Sequence, residues 1–419
     1  MTDTKNITAA LSLPANFRFN EVRSLPNDRL LLPLDFAPTL GPLANFTGKW
    51  AGTGFNLIFR PQNAAASPTP LPQPAHGPND NILELNLTTE QLVFSESLGS
   101  VPNRGFEQGD IFLNGVPYLQ TVQDVTEIGP GNAPVKPVGI HVEPGIWIAV
   151  PSTTNPQEPA TISRMASIPH GTTILLQGNA TTTAKPGKPT IPAVDPTPFV
   201  DSSRQLIRFP SQTASDTKTF RLPQDLTAHI ANGSITQAIL DDPNTVLRNH
   251  LAGQTIVETI TIHVASAPEV PVGPAVIPTV GGGTDNIAFL AGNPKPNAVV
   301  PAQQAGPGTR KLAGTMSTFW IETVEHIIHL PIFKKGQGVL RIQADPHPVL
   351  KTPGPIFEIH PTEALLRPIA IKVHSKQIQY SQVVLLNFNG LTWPHVSVAT
   401  LTPSASTVTP VPWASVIKQ

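Results

Sequence analysis

Proline sets the strongest limit on this chain: 48 of its 419 residues are proline, about twice the usual share. Each lacks a backbone donor and disrupts the interiors of helices and central strands. A chain so punctuated is built of short apolar segments joined by ordered loops, and the segments present have β-propensity. Asn56–Phe59, Ile82–Leu87, Gln91–Glu96, Ile111–Leu113, Tyr118–Val125, Gly139–Val150, Ile162–Ser167 and Thr172–Gln177 follow at roughly even spacing, separated by Gly, Pro and Asn. The same texture returns after residue 254, at Thr255–Val264, Ile287–Leu290, Met316–Val324, Val339–Ile342, Ile369–Val373, Ile378–Phe388 and Val396–Leu401. This spacing predicts a meandering antiparallel sheet or a closed barrel.

The stretch between the two sets divides the chain. Residues 1–40 read as a strap, 41–180 as a first β-barrel, 181–222 as a Thr/Pro/Lys-rich linker and 223–419 as a second barrel with a helical insert. Short helices are expected over 223–231, 234–241 and 243–251. The last has Asp242 as N-cap, Pro243 at its first position and Gly253 just past its end. Two landmarks recur in the same order. Gly145-Ile146-Trp147-Ile148 matches Thr318-Phe319-Trp320-Ile321, and Ile168-Pro169-His170-Gly171 matches Trp393-Pro394-His395-Val396. The expectation is all-β: two calycin-like antiparallel barrels related by a diverged duplication, with a few short helices.

Several function classes are excluded early. Charged residues are only 13%, and 27 Lys+Arg against 28 Asp+Glu leave no basic excess for a nucleic acid. No cysteine is present, so thiolate nucleophiles, Cys-held zinc, iron–sulfur clusters and thiolate-ligated haem are all out of reach. No apolar run is long enough to span a membrane, and no leader-like start is visible, so a cytoplasmic location is expected. Nothing in the sequence specifies an oligomeric state.

Histidine is then the main reagent available, at twelve copies. No HExxH, Walker loop, GxGxxG or Gly-x-Ser-x-Gly occurs. On a strand, residues two apart share a face, which pairs His141 with Glu143 and aligns Glu322, Val324 and His326. A His-x-Glu with a distant His is one way to hold non-haem iron; a hydrogen-bonded pair closing a barrel end is the plainer account. His170 and His395 each follow a proline at the start of a strand, which fixes the entry of the chain. His329, His263, His360 and His374 are competitors for a ligand role. His76 and His347 in Pro-rich loops, with His229 and His250 on polar helical segments, are expected at the surface. Trp50, Trp147, Trp320 and Trp393 are candidates for plain core or for the wall of an apolar pocket.

Around Gly48-Lys49-Trp50-Ala51-Gly52-Thr53-Gly54, Ile140-His141-Val142-Glu143-Pro144-Gly145 and Pro169-His170-Gly171, the first half resembles the nitrobindin-type calycins, which are haem-binding barrels. The whole chain, with Phe319-Trp320-Ile321-Glu322 and Leu391-Thr392-Trp393-Pro394-His395-Val396, looks closer to the fungal manganese-dependent aromatic dioxygenases. That resemblance implies an enzyme that cleaves the double bond of aryl alkenes such as isoeugenol or anethole with O2 to give aldehydes. Carried onto this chain, it implies manganese held by His141, His170, His326 and His395, with Glu143 or Glu322 supporting catalysis from behind the ligands. Non-haem iron and haem are the alternative cofactors, and a non-catalytic carrier of hydrophobic molecules is the alternative function.

Overall fold

The computed structural model describes residues 19, 39–61, 81–103, 110–127, 136–154, 157–169, 173–181, 183–200, 203–219, 221–265, 315–388, 391–404 and 408–416. Ten long strands dominate: β1 (Gly48–Pro61), β2 (Asn81–Phe94), β3 (Ile111–Asp124), β4 (Val138–Val150), β5 (Thr161–Ser167), β6 (Thr173–Ala180), β7 (Thr255–Ala265), β8 (Thr315–Leu330), β9 (Ile369–Phe388) and β10 (Leu391–Pro403). Each pairs antiparallel with the next in sequence, and β10 pairs back onto β1, from Trp50 opposite Pro403 to Leu57 opposite Val396. The result is one closed up-and-down barrel with no free edge among these ten strands.

Strands from both halves of the chain make this single wall, so the expected two barrels are corrected to one. The reason lies in pairing: β6 hydrogen-bonds directly to β7, Gln177 facing Ala265 through Ala180 facing Ile262. The described parts of the expected linker also belong to the wall's surroundings. Lys185-Pro186 pairs with β7 and Phe199-Val200 with β10. Several strands are longer than their apolar runs. Ile82–Leu87 and part of Gln91–Glu96 join into β2 across Thr88, Thr89 and Glu90, and Ile369–Val373 joins Ile378–Phe388 through His374, Ser375, Lys376 and Gln377. The expected strand Ile287–Leu290 lies outside the described residues.

Alternation sorts the side chains. The inward set includes Trp50, Phe94, Tyr118, Trp147, Phe319 and Tyr380, packed as one buried cluster. Phe46 stacks on Phe94 at 4.9 Å between centroids and meets Trp147 edge-on at 5.4 Å. Two glycines make room. A Cβ on Gly145 would stand 2.5 Å from the Tyr118 ring, and one on Gly52 only 1.9 Å from the Thr400 carbonyl oxygen.

The outward faces of β1, β2 and β8–β10 are covered by the segment between β6 and β7. Its helices α1 (Thr227–Asn232), α2 (Gln237–Asp241) and α3 (Thr245–His250) agree with the expected positions within about two to four residues at each end. Asn244, not Asp242, is the N-cap of α3. Asp242 instead accepts from the Asn244 backbone N–H at 3.1 Å and pairs with Arg248. Leu240, Leu247 and Leu251 pack on Phe59, Trp393 and Trp320 in a second buried cluster. Trp147 thus points inward and Trp320 outward, so the matched landmarks of the proposed duplication occupy opposite faces of the wall.

Beyond the barrel, β8 and β9 continue together and carry a small three-stranded sheet, Leu340–Gln343, Ile356–Ile359 and Val408–Val411. It packs Phe357 and Ile359 on Ile328, Leu330, Ile371 and Val373 of the same outward face, with Trp413 of the helix Trp413–Val416. No helix among the described residues is long and apolar enough to cross a membrane.

Candidate functional site: a histidine-lined crevice on the barrel wall

The barrel interior holds a polar network built on one cation. Arg164 on β5 is 2% exposed. Its Nη2 donates to Glu143 Oε1 at 2.6 Å, Nε to Tyr118 Oη at 2.9 Å, and Nη1 to Gln382 Oε1 at 2.7 Å and Ser317 Oγ at 3.3 Å. These bonds run from β5 across the lumen to β8 and β9, and the guanidinium also lies within about 5.6 Å of the Tyr118, Trp147 and Phe319 ring centroids. Burial would raise the Glu143 carboxyl, but Arg164 beside it and its hydrogen bonds hold it down at about 2.

A second carboxyl closes the other side of the lumen. Glu90 accepts from Tyr380 Oη at 2.6 Å, Thr88 Oγ1 at 3.0 Å and Gln120 Nε2 at 3.2 Å. Burial pushes its proton affinity up against those bonds. Both carboxyls are saturated with partners, so the network's chemistry is structural: it satisfies buried polar groups across a tube otherwise filled with aromatics.

The sequence-derived site residues divide between two sides of the wall. His141 and Glu143 share the inward face as expected, with His141 Nε2 3.3 Å from Glu143 Oε2. His395 also points inward on β10, 3.4 Å from Ser397 Oγ. His326 and Glu322 share the outward face with Trp320 and Val324. His170 lies outside the described residues, as does His76. Among the described residues no group of three His, Asp or Glu side chains could hold a metal ion. The donor set expected for one manganese is thus split by the wall, and Glu143 is already committed to Arg164 and Tyr118. His263 bonds Thr318 Oγ1 at 2.7 Å on the outer surface, and His329, His360 and His374 are exposed.

Outside the barrel, between the helix-covered part of the wall and the small sheet, lies a crevice of about 360 Å³. Its floor is the outward face of β8 and β9, with His326, Ser375 and Gln377; one side is Gly253-Gln254 and the other the loop through His347. Pro348 packs at 3.0 Å against the point where a Gly253 Cβ would stand, and Gly253 itself adopts φ +75°. His326 Nε2 lies 2.8 Å from Ser375 Oγ, and its ring sits 5.7 Å from that of Phe357.

Histidines expected at the surface are here buried or half-buried. His347 is 6% exposed, because the Pro-His-Pro loop folds back on the wall and the ring is its anchor. Its Nδ1 accepts the backbone N–H groups of Val349 at 3.2 Å and Leu350 at 3.1 Å. His250 is half-buried, its Nδ1 2.8 Å from Thr400 Oγ1, and His229 is 4% exposed with Nδ1 2.9 Å from Ser234 Oγ. Flanking prolines and polar neighbours signal a loop, but not whether the loop lies down. Burial above all lowers His250, His326 and His347 each to about 4, so all three rings are neutral at neutral pH.

Three buried polar atoms at or behind the crevice lack partners: His347 Nε2, Thr352 Oγ1 and Glu322 Oε1. Because His347 Nδ1 is an acceptor, its proton resides on Nε2. Glu322 is fully buried, and its Oε2 accepts from Gln377 Nε2 at 2.8 Å. Burial lifts its pKa to about 8 against that hydrogen bond, so at neutral pH it is a carboxylic acid. Gln377 exchanges amide hydrogen bonds with Gln254 at 2.9 and 3.2 Å, linking the acid to the crevice lining. Each unsatisfied buried group costs about 1–3 kcal/mol.

No family model, no curated protein and no solved structure matches the chain.

Proposed function

We propose that this protein binds a small molecule in the crevice between the helix-covered wall and the small sheet. The observation that carries the reading is a crevice of about 360 Å³ whose lining brings the side chains of His326, Ser375, Gln254 and Gln377 together beside the buried His347. The volume is at the small end of ligand pockets, about 300–1,000 Å³. The lining combines apolar walls, including Val324 and several prolines, with a few converging polar groups, as such pockets do. The lumen by contrast is packed with aromatic side chains around a satisfied network.

The test is ligand-detected NMR with a fragment mixture on the full chain, followed by histidine side-chain spectra. Binders that move the His347 and His326 ring signals support the reading. Binders that leave those rings unmoved, or none at all, refute it.

Manganese-dependent cleavage of aryl alkenes is a separate proposal, motivated by the sequence resemblance and by the 3.3 Å approach of His141 to Glu143. It expects about one manganese per chain in protein purified without a histidine tag, and aldehyde formation from isoeugenol in air. Metal-free protein that takes up none on reconstitution overturns it, and a Soret band replaces it with haem binding.

A further inference from the structure

We infer that the outer wall carries a second binding surface, a trough that takes a neutral oligosaccharide chain. The trough encloses about 650 Å³ and crosses β10, β1, β2, β3 and β4. Four inter-strand steps of about 4.8 Å make it roughly 19 Å long. Alternation fixes what floors it. Trp50, Glu90 and Gln120 point into the lumen, so Ala51, Thr53, Thr89, Gln91, Thr121 and Gln123 point out. Register then sets them in two rows across the strands. Thr53 faces Thr89, which faces Gln123; Thr402 faces Ala51, which faces Gln91, which faces Thr121. The threonines are half-buried and the two glutamines exposed, so their polar ends are open to a ligand.

The chemistry of these groups selects the occupant. Among the described residues, the side chains of Thr53, Thr89, Gln91, Thr121 and Gln123 have no hydrogen-bond partner within the chain, unlike the saturated network of the lumen behind them. Hydroxyls and amides each donate and accept, which matches a ligand whose own groups are hydroxyls, and the strands hold them at fixed spacing before it arrives. The described lining holds no lysine or arginine to pair with phosphates. Its ionisable members, Glu90 and His141, turn inward, Glu90 to Tyr380 and His141 to Glu143. A peptide would find only Ala51 as apolar surface among the floor side chains, and the ten-stranded barrel offers no free edge for its backbone. The trough adjoins the crevice through Thr352, Pro353, Thr402 and Pro403 but does not depend on the reading of it.

The experiment titrates cellotetraose, maltotetraose and tetra-N-acetylchitotetraose into the full chain while the methyl resonances of Thr53, Thr89 and Thr121 are followed. At least one is expected to shift all three methyls saturably, with at least tenfold weaker binding of tetragalacturonate and of the cationic glucosamine tetramer. The triple variant Thr53→Val, Thr89→Val, Thr121→Val keeps side-chain shape and removes the hydroxyls, and should weaken that sugar at least tenfold. Gln91→Met, at an exposed position, provides the same test with a fivefold loss if the triple variant does not fold. Undiminished binding by a folded variant, equal binding of the charged tetramers or of a Gly-Ser octapeptide, or no methyl shift with any neutral tetramer overturns the inference. The His326 ring is recorded in parallel: fragments that move it while no sugar moves the threonine methyls refute the trough and leave the crevice reading in place.

Discussion

Arg164 and Glu322 are two buried ionisable residues held in opposite states. Arg164 keeps its charge because a carboxylate, a phenol, an amide and a hydroxyl are aimed at it. Removing that cation alone leaves Glu143 charged in an apolar tube, so Arg164→Met is expected to cost about 3–5 kcal/mol. Pairing it with Glu143→Leu removes the orphaned charge, and the double variant should unfold at higher urea than Arg164→Met alone; additive losses would refute the coupling. Glu322 is the reverse case. Its folded pKa of about 8 lies above the unfolded value, so the wild type loses stability as pH rises from about 4.5 to 8. Glu322→Gln removes that loss. Its stability relative to wild type should be larger at pH 8 than at pH 5 by roughly 3 kcal/mol in denaturant unfolding, and a pH-independent difference would contradict a protonated Glu322. Arg164 was visible as the lone charge in Thr161–Ser167, yet its partners lie on β3, β4, β8 and β9, which no local pattern connects.

At the scale of elements, the closing pair β1 and β10 depends on a bare backbone at Gly52. An added Cβ would overlap the Thr400 carbonyl, part of the backbone that cannot rotate away. Gly52→Ala is therefore expected to destabilise by more than the roughly 1–3 kcal/mol of ordinary overpacking. It should also raise amide exchange at Gly54, Val398 and Ala399 before the rest of the barrel; uniform exchange would show that the seam is not the weak point. Strand existence was legible from alternation, but strand length was not. Thr88 and Glu90 are polar because they face a polar network in the lumen. Ser375 and Gln377 are polar because they floor an outer crevice. Polarity of this kind reads as a break when only the sequence is seen. The reading of Glu322, Val324 and His326 as one face was sound; which face it is depends on the neighbours that cover it.

For the whole molecule, the buried imidazoles and the buried acid pull the pH profile in opposite directions. His250, His326 and His347, lowered to about 4, make the folded state lose stability as pH falls from about 6.5 to 4, where the unfolded chain takes up their protons first. Glu322 acts between about 4.5 and 8 in the other sense. Three groups outweigh one below about 6.5 and none opposes Glu322 above it, so the melting temperature should peak between about pH 6 and 7. A melting temperature that climbs steadily from pH 6 to 8 would contradict these buried states.

The sequence by itself determined that this chain is β-rich, that its strands meander, that three short helices interrupt them and that His141 shares a face with Glu143. All of these follow from proline placement, alternation and capping, which act over a few residues. Tertiary structure alone decided that one barrel forms rather than two, because ten paired strands leave no edge while each half alone would have to close on fewer. It likewise decided that His326 faces out while His395 faces in, and that the Pro-His-Pro loop lies down on the wall. Closure, facing and burial depend on partners distant in the sequence, from a neighbouring element to the far end of the chain, and nothing local encodes them.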